Sequence, residues 1–214
     1  MGVKPSETSR DRLLAVAIDL FGRRGLDGVS TREIAKEADV NIAAIAYHFG
    51  GKQQLYLACA EHIAGQLKAG IALLAPAESP SPDPGQALKD VLHRLAKFML
   101  ATPEIAPFAR FILREHMDPS PALDILYSNV MEPMHRSLCE LWAAATGKPA
   151  ASEQTKLRVF ALLSQVLVFR MARAGALRRM GWDDLGPREF ALIMDNADHN
   201  IDALLAQENR EKRR

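Results

Sequence analysis

An all-α fold is predicted for this chain by three observations. Apolar residues recur at three- and four-residue steps, and strand-like alternation is rare. Proline and glycine mark the joints, at Pro103, Pro119 with Pro121, Gly147 with Pro149, and Gly181 to Pro187. Ser30 and Glu33 have the S-x-x-E spacing of a capping box, a signal that belongs to helix starts. The expected organisation is an N-terminal three-helix domain over 1–51, a helical domain over 52–207 and a polar tail over 208–214.

In chain order, the first helix carries Leu14, Ala17, Ile18 and Phe21 and ends at Gly25. The second starts near Thr31 with Ile34, Ala35 and Ala38 turned inward, and Ala35 is small enough for another helix to cross closely. Asp39, Val40 and Asn41 make the turn: Asp tolerates a left-handed backbone, Val40 can be buried, and Asn41 can cap the next helix, about Ile42 to His48. A fourth helix runs from near Lys52 to about Leu74. Pro76 to Gly85 holds four prolines and is expected to be an extended connection. Helices follow at roughly 86–101, 103–117, 120–146, 152–176 and 187–207, and the terminal QENREKRR is expected to fray.

Two short helices joined by such a turn make a helix-turn-helix, and the second has side chains that suit a major groove. Ile42, Ala43 and Ala44, near its start, are free of acid, while Ile45 points inward to lock against Ala35. Tyr47, His48 and Lys52 offer a hydroxyl, an imidazole and an ammonium to phosphate oxygens; Thr31, Arg32 and Asn41 complete the candidate DNA-binding set. No acidic residue occurs between Val40 and Ala60. An ordinary helical hairpin in an all-helical protein has the same spacing and is the alternative reading of these residues.

Residues 9–56 resemble the N-terminal domain of the TetR/AcrR family of one-component transcriptional regulators. The resemblance rests on the opening helix, on T-x-x-I-A at Thr31 to Ala35, on A-x-V at Ala38 to Val40, and on Y-H-F-x-x-K-x-x-L at Tyr47 to Leu55. The family often has glycine where Asp39 stands and an aromatic where Ala46 stands. The wordings N-I-A-A-I-x-Y-H-F-G-G-K, R-E-H-M-D-P-S-P and L-V-F-R-M-A-R-A resemble a CecR-like subgroup with its own C-terminal domain type. The resemblance implies a homodimer built from helices 152–176 and 187–207, a palindromic double-stranded DNA operator, and release by a small-molecule effector, so a repressor. Leu157, Phe160, Leu163, Val166 and Leu167, then Phe190, Ile193, Met194, Ala197, Ile201 and Leu204, give those helices generous apolar surface. Helix four is then the lever between the reading head and the sensing core.

Composition narrows the alternatives. The 214 residues are 48% hydrophobic with a formal net charge of +1, enough for a real core and without the global basicity of a non-specific nucleoid protein. Residues 1–55 hold eight Lys/Arg and seven Asp/Glu, again +1, so DNA binding must rest on placement of charge. Cys59 and Cys139 are far apart, which suits reduced thiols in a cytoplasmic protein. No signal peptide or membrane span is expected; the apolar run Val159 to Phe169 is too short and is interrupted by Ser164 and Gln165. G-x-S-x-G and H-E-x-x-H are absent, and Gly50-Gly51-Lys52 lacks the upstream glycine of a phosphate loop. Neither an enzyme nor a cofactor is expected, and the six histidines show no metal spacing.

The larger domain spends many large apolar side chains on something beyond DNA reading. Candidate effector contacts are Phe108, Phe111, Arg114, Tyr127, Met131, Met134, His135, Trp142, Phe160, Gln165 and Phe169. Plain core packing is the better account of any one of them, and only the set is informative. Arg110, Arg114 and Arg170 could anchor an anionic group or form internal ion pairs. The alternative function is a helical small-molecule-binding or interaction module without DNA binding.

Overall fold

The computed structural model describes residues 8–73 and 83–212, so the expected connection at Pro76 to Gly85 lies outside the described residues as far as 82. Among the described residues there is no strand. The helices are α1 (Ser9–Arg24), α2 (Thr31–Glu37), α3 (Ala43–Phe49), α4 (Lys52–Leu73), α5 (Pro84–Ala101), α6 (Ala106–Met117), α7 (Pro121–Leu126), α8 (Glu132–Thr146), α9 (Glu153–Met171), α10 (Arg173–Met180) and α11 (Pro187–Lys212). They gather into two compact units. One comprises Met1–Leu67 with Glu104–Val130, the other Lys68–Pro103 with Met131–Arg214.

The first unit closes around Leu13, Leu14, Ile18, Phe21, Ile34, Leu55 and Phe111, all buried. Tyr56 lies between two of these rings, edge-on to Phe21 at 4.9 Å and tilted against Phe111 at 4.8 Å. α1 and α6 approach closely at Gly22, where a Cβ would stand 3.2 Å from the Phe111 backbone nitrogen. The second unit packs α5, α8, α9 and α11 around Trp142, with Leu88, Leu92, Leu138, Val166 and Ile201.

Several expected elements are corrected. Ser30 caps α2, accepting from the Glu33 amide at 3.2 Å, but the reciprocal half of the box is not formed: the Glu33 carboxylate accepts from Arg24 at 2.6 Å. The complete capping box stands instead at Thr8 and Asp11 of α1. α5 begins at Pro84, capped by Asp83, because proline has no amide to lose at a first helical position. A 3-10 turn, Pro103–Ile105, precedes α6. The helix expected over 120–146 contains a π-turn, Tyr127–Met131, just before Pro133, whose ring and missing N–H disrupt regular α bonding. The helix expected over 152–176 breaks at Ala172, and α10 is bent by 85° from α9. The bend accompanies a stack of Trp182 on Phe169 and an ion pair of Arg173 with Asp184.

α11 continues to Lys212, past the helix end expected at 207. Glu208 is only 2% exposed and lies 3.3 Å from Lys148 and 3.8 Å from Arg158. No single helix among the described residues is long and apolar enough to cross a membrane; α9 and α10 pass by length and composition only as a bent pair.

Candidate nucleic-acid interface

The helix-turn-helix is held by local chemistry that the sequence announces. Asp39 takes the left-handed conformation, φ 52°, and Arg12 on α1 donates to its carbonyl at 3.3 Å. The Asn41 Oδ1 accepts from the Ala43 amide at 2.8 Å, so this side chain caps α3. Ile45 is the one buried residue of α3, and Ala35 is buried on α2. With Ile45 as the buried anchor, Ala43, Ala46 and Tyr47 of this seven-residue helix stay exposed to a groove.

Ile42 is 48% exposed and Tyr47 85%, Ala43 and Ala46 are also exposed, and Ala44 is half-buried. Exposed Arg32 and half-buried Lys52 have no ion-pair partner among the described residues, so their charges are uncommitted. Thr31, half-buried, opens α2. His48 is also half-buried, and its Nε2 lies 2.9 Å from Ser9 Oγ, a bond to α1 that the sequence reading did not foresee.

Gly50 and Gly51 join α3 to α4 at φ 82° and 143°, conformations that side chains resist. A Cβ at Gly50 would meet nothing within 4 Å, so the backbone alone demands glycine. Gly50→Ala is therefore expected to lower stability by about 1–2 kcal/mol, read as a shifted denaturant midpoint. An unchanged midpoint would show that the turn relaxes without cost.

The effector candidates are distributed over both units. In the first, Phe111 is fully buried core, Phe108 is half-buried, and Tyr127 is 52% exposed. Arg110 is committed to Asp19 at 2.6 Å. Arg114 donates to the Arg23 carbonyl at 3.2 Å, a cation at the C-terminal end of α1 where the helix dipole favours one. Next to Arg114 in sequence, Glu115 is 1% exposed and accepts from the Tyr56 hydroxyl and from Ser120 N and Oγ at 3.1 and 2.8 Å. Sequence reading passed over this carboxylate.

In the second unit Trp142 is core, whereas Phe160 is 60% exposed. Met131, Met134, His135, Gln165 and Phe169 are half-buried. Partners satisfy the two polar members: His135 Nε2 lies 3.2 Å from the Lys156 carbonyl, and Gln165 Oε1 accepts from Asn200 at 2.8 Å. A small void walled only by Leu88, Leu92, Leu138, Val159, Leu162 and Leu163 lies in this core, lined by none of the candidates.

Comparison with known proteins gives consistent results. The family described as bacterial regulatory proteins, tetR family, matches residues 13–59, and the family described as HTH-type transcriptional dual regulator CecR, C-terminal domain, matches residues 84–207. The chain is 34% identical over 209 residues to the HTH-type transcriptional dual regulator CecR of Shigella flexneri, spanning 93% of this chain and 92% of that protein. It is 26% identical over 155 residues to the HTH-type transcriptional regulatory protein RaaS of Mycobacterium tuberculosis, covering 72% and 67% of the two chains. A solved transcriptional regulator from Rhodococcus sp. RHA1 shares the fold at a TM-score of 0.65 and 22% identity, covering 91% of this chain and 96% of that one.

Proposed function

The chain belongs to the TetR family of DNA-binding transcriptional regulators, with a C-terminal domain of the CecR type, and we propose that it works there as a cytoplasmic homodimeric repressor. It holds a palindromic operator and is released by a small, largely apolar molecule. Members of the family are regulators rather than enzymes.

One observation carries the dimer: an apolar stripe on α9 that its own unit leaves uncovered. Leu157, Phe160, Val168 and Met171 are 68%, 60%, 46% and 57% exposed, and their spacing keeps them on one helical face. Leu192 on α11 is 47% exposed. Most of the other apolar residues of these helices, Leu163, Val166, Ile193, Met194, Ala197 and Ile201, are buried in their own core and are not available to a second copy. A two-fold pair would present two α3 helices to successive major grooves, which implies the palindrome.

Within each protomer, residues 1–51 are the DNA-reading domain and 52–207 the sensing and pairing domain in this reading. Arg32, Tyr47, His48 and Lys52 engage phosphates, and Ile42, Ala43 and Ala44 face base edges. Of the effector candidates, Met131, Met134, Gln165 and Phe169 are the proposed contacts; thioethers let such a lining adapt to varied apolar shapes. Release follows by linkage, through the effector's preference for a protomer geometry that holds DNA poorly.

Selection of genomic fragments by purified protein at fixed salt, followed by footprinting, tests the reading. A short palindrome is expected; recovery without sequence preference counts against it. Since the Shigella flexneri relative is named a dual regulator, a reporter driven from the recovered site should be scored in both directions. Repression is the expected sign.

A further inference from the structure

We propose that the DNA-contacting surface extends from the helix-turn-helix onto α1, where Arg10 supplies a backbone-phosphate contact and Phe49 is the aromatic platform that positions it. The proposal rests on the placement of the reading head given above and adds a contact that the helix-turn-helix sequence motif does not contain.

Charge bookkeeping among the arginines of α1 singles out Arg10. Arg23 and Arg110 both reach Asp19 at 2.6 Å, Arg24 reaches Glu33 at 2.6 Å, and Arg12 lies 3.9 Å from Asp39. Each would have to release or share a carboxylate before taking a phosphate. Arg10 is exposed and has no carboxylate within ion-pair distance among the described residues. Its neighbour Asp11 is occupied otherwise, bonded to Thr8 Oγ1 at 2.6 Å inside the capping box.

The guanidinium is nevertheless not loose. Its central carbon lies 5.3 Å from the centroid of the Phe49 ring, the last residue of α3. A cation held over a ring face keeps its N–H donors available, which suits a phosphate oxygen. Phe49 is in ring contact with His48 at 6.1 Å, and His48 with Tyr47 at 5.0 Å. Ser9, beside Arg10, is the residue bonded to His48. Arg10 is thus joined through contiguous contacts to Tyr47, the most exposed aromatic of the reading helix. The field of the same cation reaches α4: His62 is held below its ordinary ionisation range by burial first and by Arg10 second, against the opposing pull of Asp11.

Binding of the full chain to a mixed-sequence duplex, followed by fluorescence anisotropy across a salt series, decides the matter without knowledge of the operator. One phosphate contact adds about 0.9 to the slope of log affinity against log salt, equivalent to about fivefold in affinity at 0.15 M. Arg10→Gln is expected to weaken binding about fivefold per bound protomer and to reduce the slope by about 0.9, whereas Arg10→Lys keeps the slope. Lys52→Gln reports on the reading head itself. If Lys52→Gln lowers affinity and slope while Arg10→Gln changes neither, the Arg10 assignment falls alone. If neither substitution matters, the reading head is misplaced and the proposal falls with it. Phe49→Leu, made alone and together with Arg10→Gln, tests the platform: it should weaken the otherwise unaltered chain and add nothing once Arg10 is gone. Equal weakening in both backgrounds would overturn the positioning role.

Discussion

Two carboxylates on the uncovered face of α9, Leu157→Glu with Phe160→Glu, are expected to turn the proposed dimer into monomers and to weaken palindrome binding by at least about a hundredfold. Tethering two reading heads makes the second DNA contact intramolecular, and that gain disappears when the heads separate. The protomer should tolerate both changes, because Leu157 is 68% and Phe160 60% exposed and the new charges remain hydrated there. In a closed interface they would be stripped of water without a partner. Phe160 also rests on the His135 ring, 4.1 Å between centroids, so Leu157→Glu alone provides a variant clear of that contact. Sedimentation of the protein and anisotropy on full and half palindromes are the measurements. Binding to a half palindrome should be unchanged within experimental scatter. A dimer that survives both charges places the interface elsewhere and removes the main support for a two-fold operator.

The helix-turn-helix was legible because its determinants are local. Ser30 caps the helix it precedes, Asn41 caps the helix that follows it, and Asp39 adopts the left-handed backbone that short polar residues tolerate. Each of these choices is settled within a few residues. Legibility failed where a distant partner decided. The Glu33 carboxylate could return to Ser30 or reach across to Arg24, and only the tertiary arrangement selects Arg24. The break at Ala172 is invisible locally, since alanine is the strongest helix former; the Phe169 and Trp182 stack and the Arg173 and Asp184 pair accompany it. Pro133 was a local signal for the π-turn, but the surrounding apolar periodicity concealed it.

The same division holds for candidate site residues. Tyr47 sits on a seven-residue helix whose exposed face follows from Ile45 being buried, so its exposure was legible from spacing. Arg10 and Ser9 could not be found that way, because they reach α3 from 39 residues away in the case of the Ser9 bond to His48. Arg114 looked like an anion anchor because apolar residues flank it, yet the carbonyl it meets belongs to Arg23, 91 residues distant. Glu115 carried no warning at all. A glutamate between Arg114 and His116 reads as solvent-facing, and its burial depends on Tyr56, 59 residues earlier.

Removing that carboxylate with Glu115→Ala is expected to cost about 3–5 kcal/mol, measured as a fall in denaturant midpoint at constant slope. The loss combines a cavity at a site only 1% exposed with three donors left without an acceptor: the Tyr56 hydroxyl, Ser120 N and Ser120 Oγ. Ser120 Oγ also accepts from the Ala122 amide at 3.1 Å, so the start of α7 should loosen as well. Tyr56→Phe takes away one donor and keeps the ring between Phe21 and Phe111, and about 1–3 kcal/mol is expected. If Glu115 and Tyr56 act as a pair, the double variant Tyr56→Phe with Glu115→Ala should cost less than the two single costs added together. Strict additivity would reduce the contact to coincidence. A second readout is alkaline. Burial, and then Glu115, push the Tyr56 ionisation above its ordinary 10.0. A value raised in the folded state means that this contribution is complete below pH 10.0 and is lost above it, where the unfolded chain's phenol releases its proton first. Burial also pushes the Cys59 thiol up from 9.0, which gives both proteins a decline that starts lower. Stability of Tyr56→Phe should therefore fall less steeply than that of the unsubstituted chain above pH 10.0, and parallel profiles would show that the fold does not raise the phenol's ionisation.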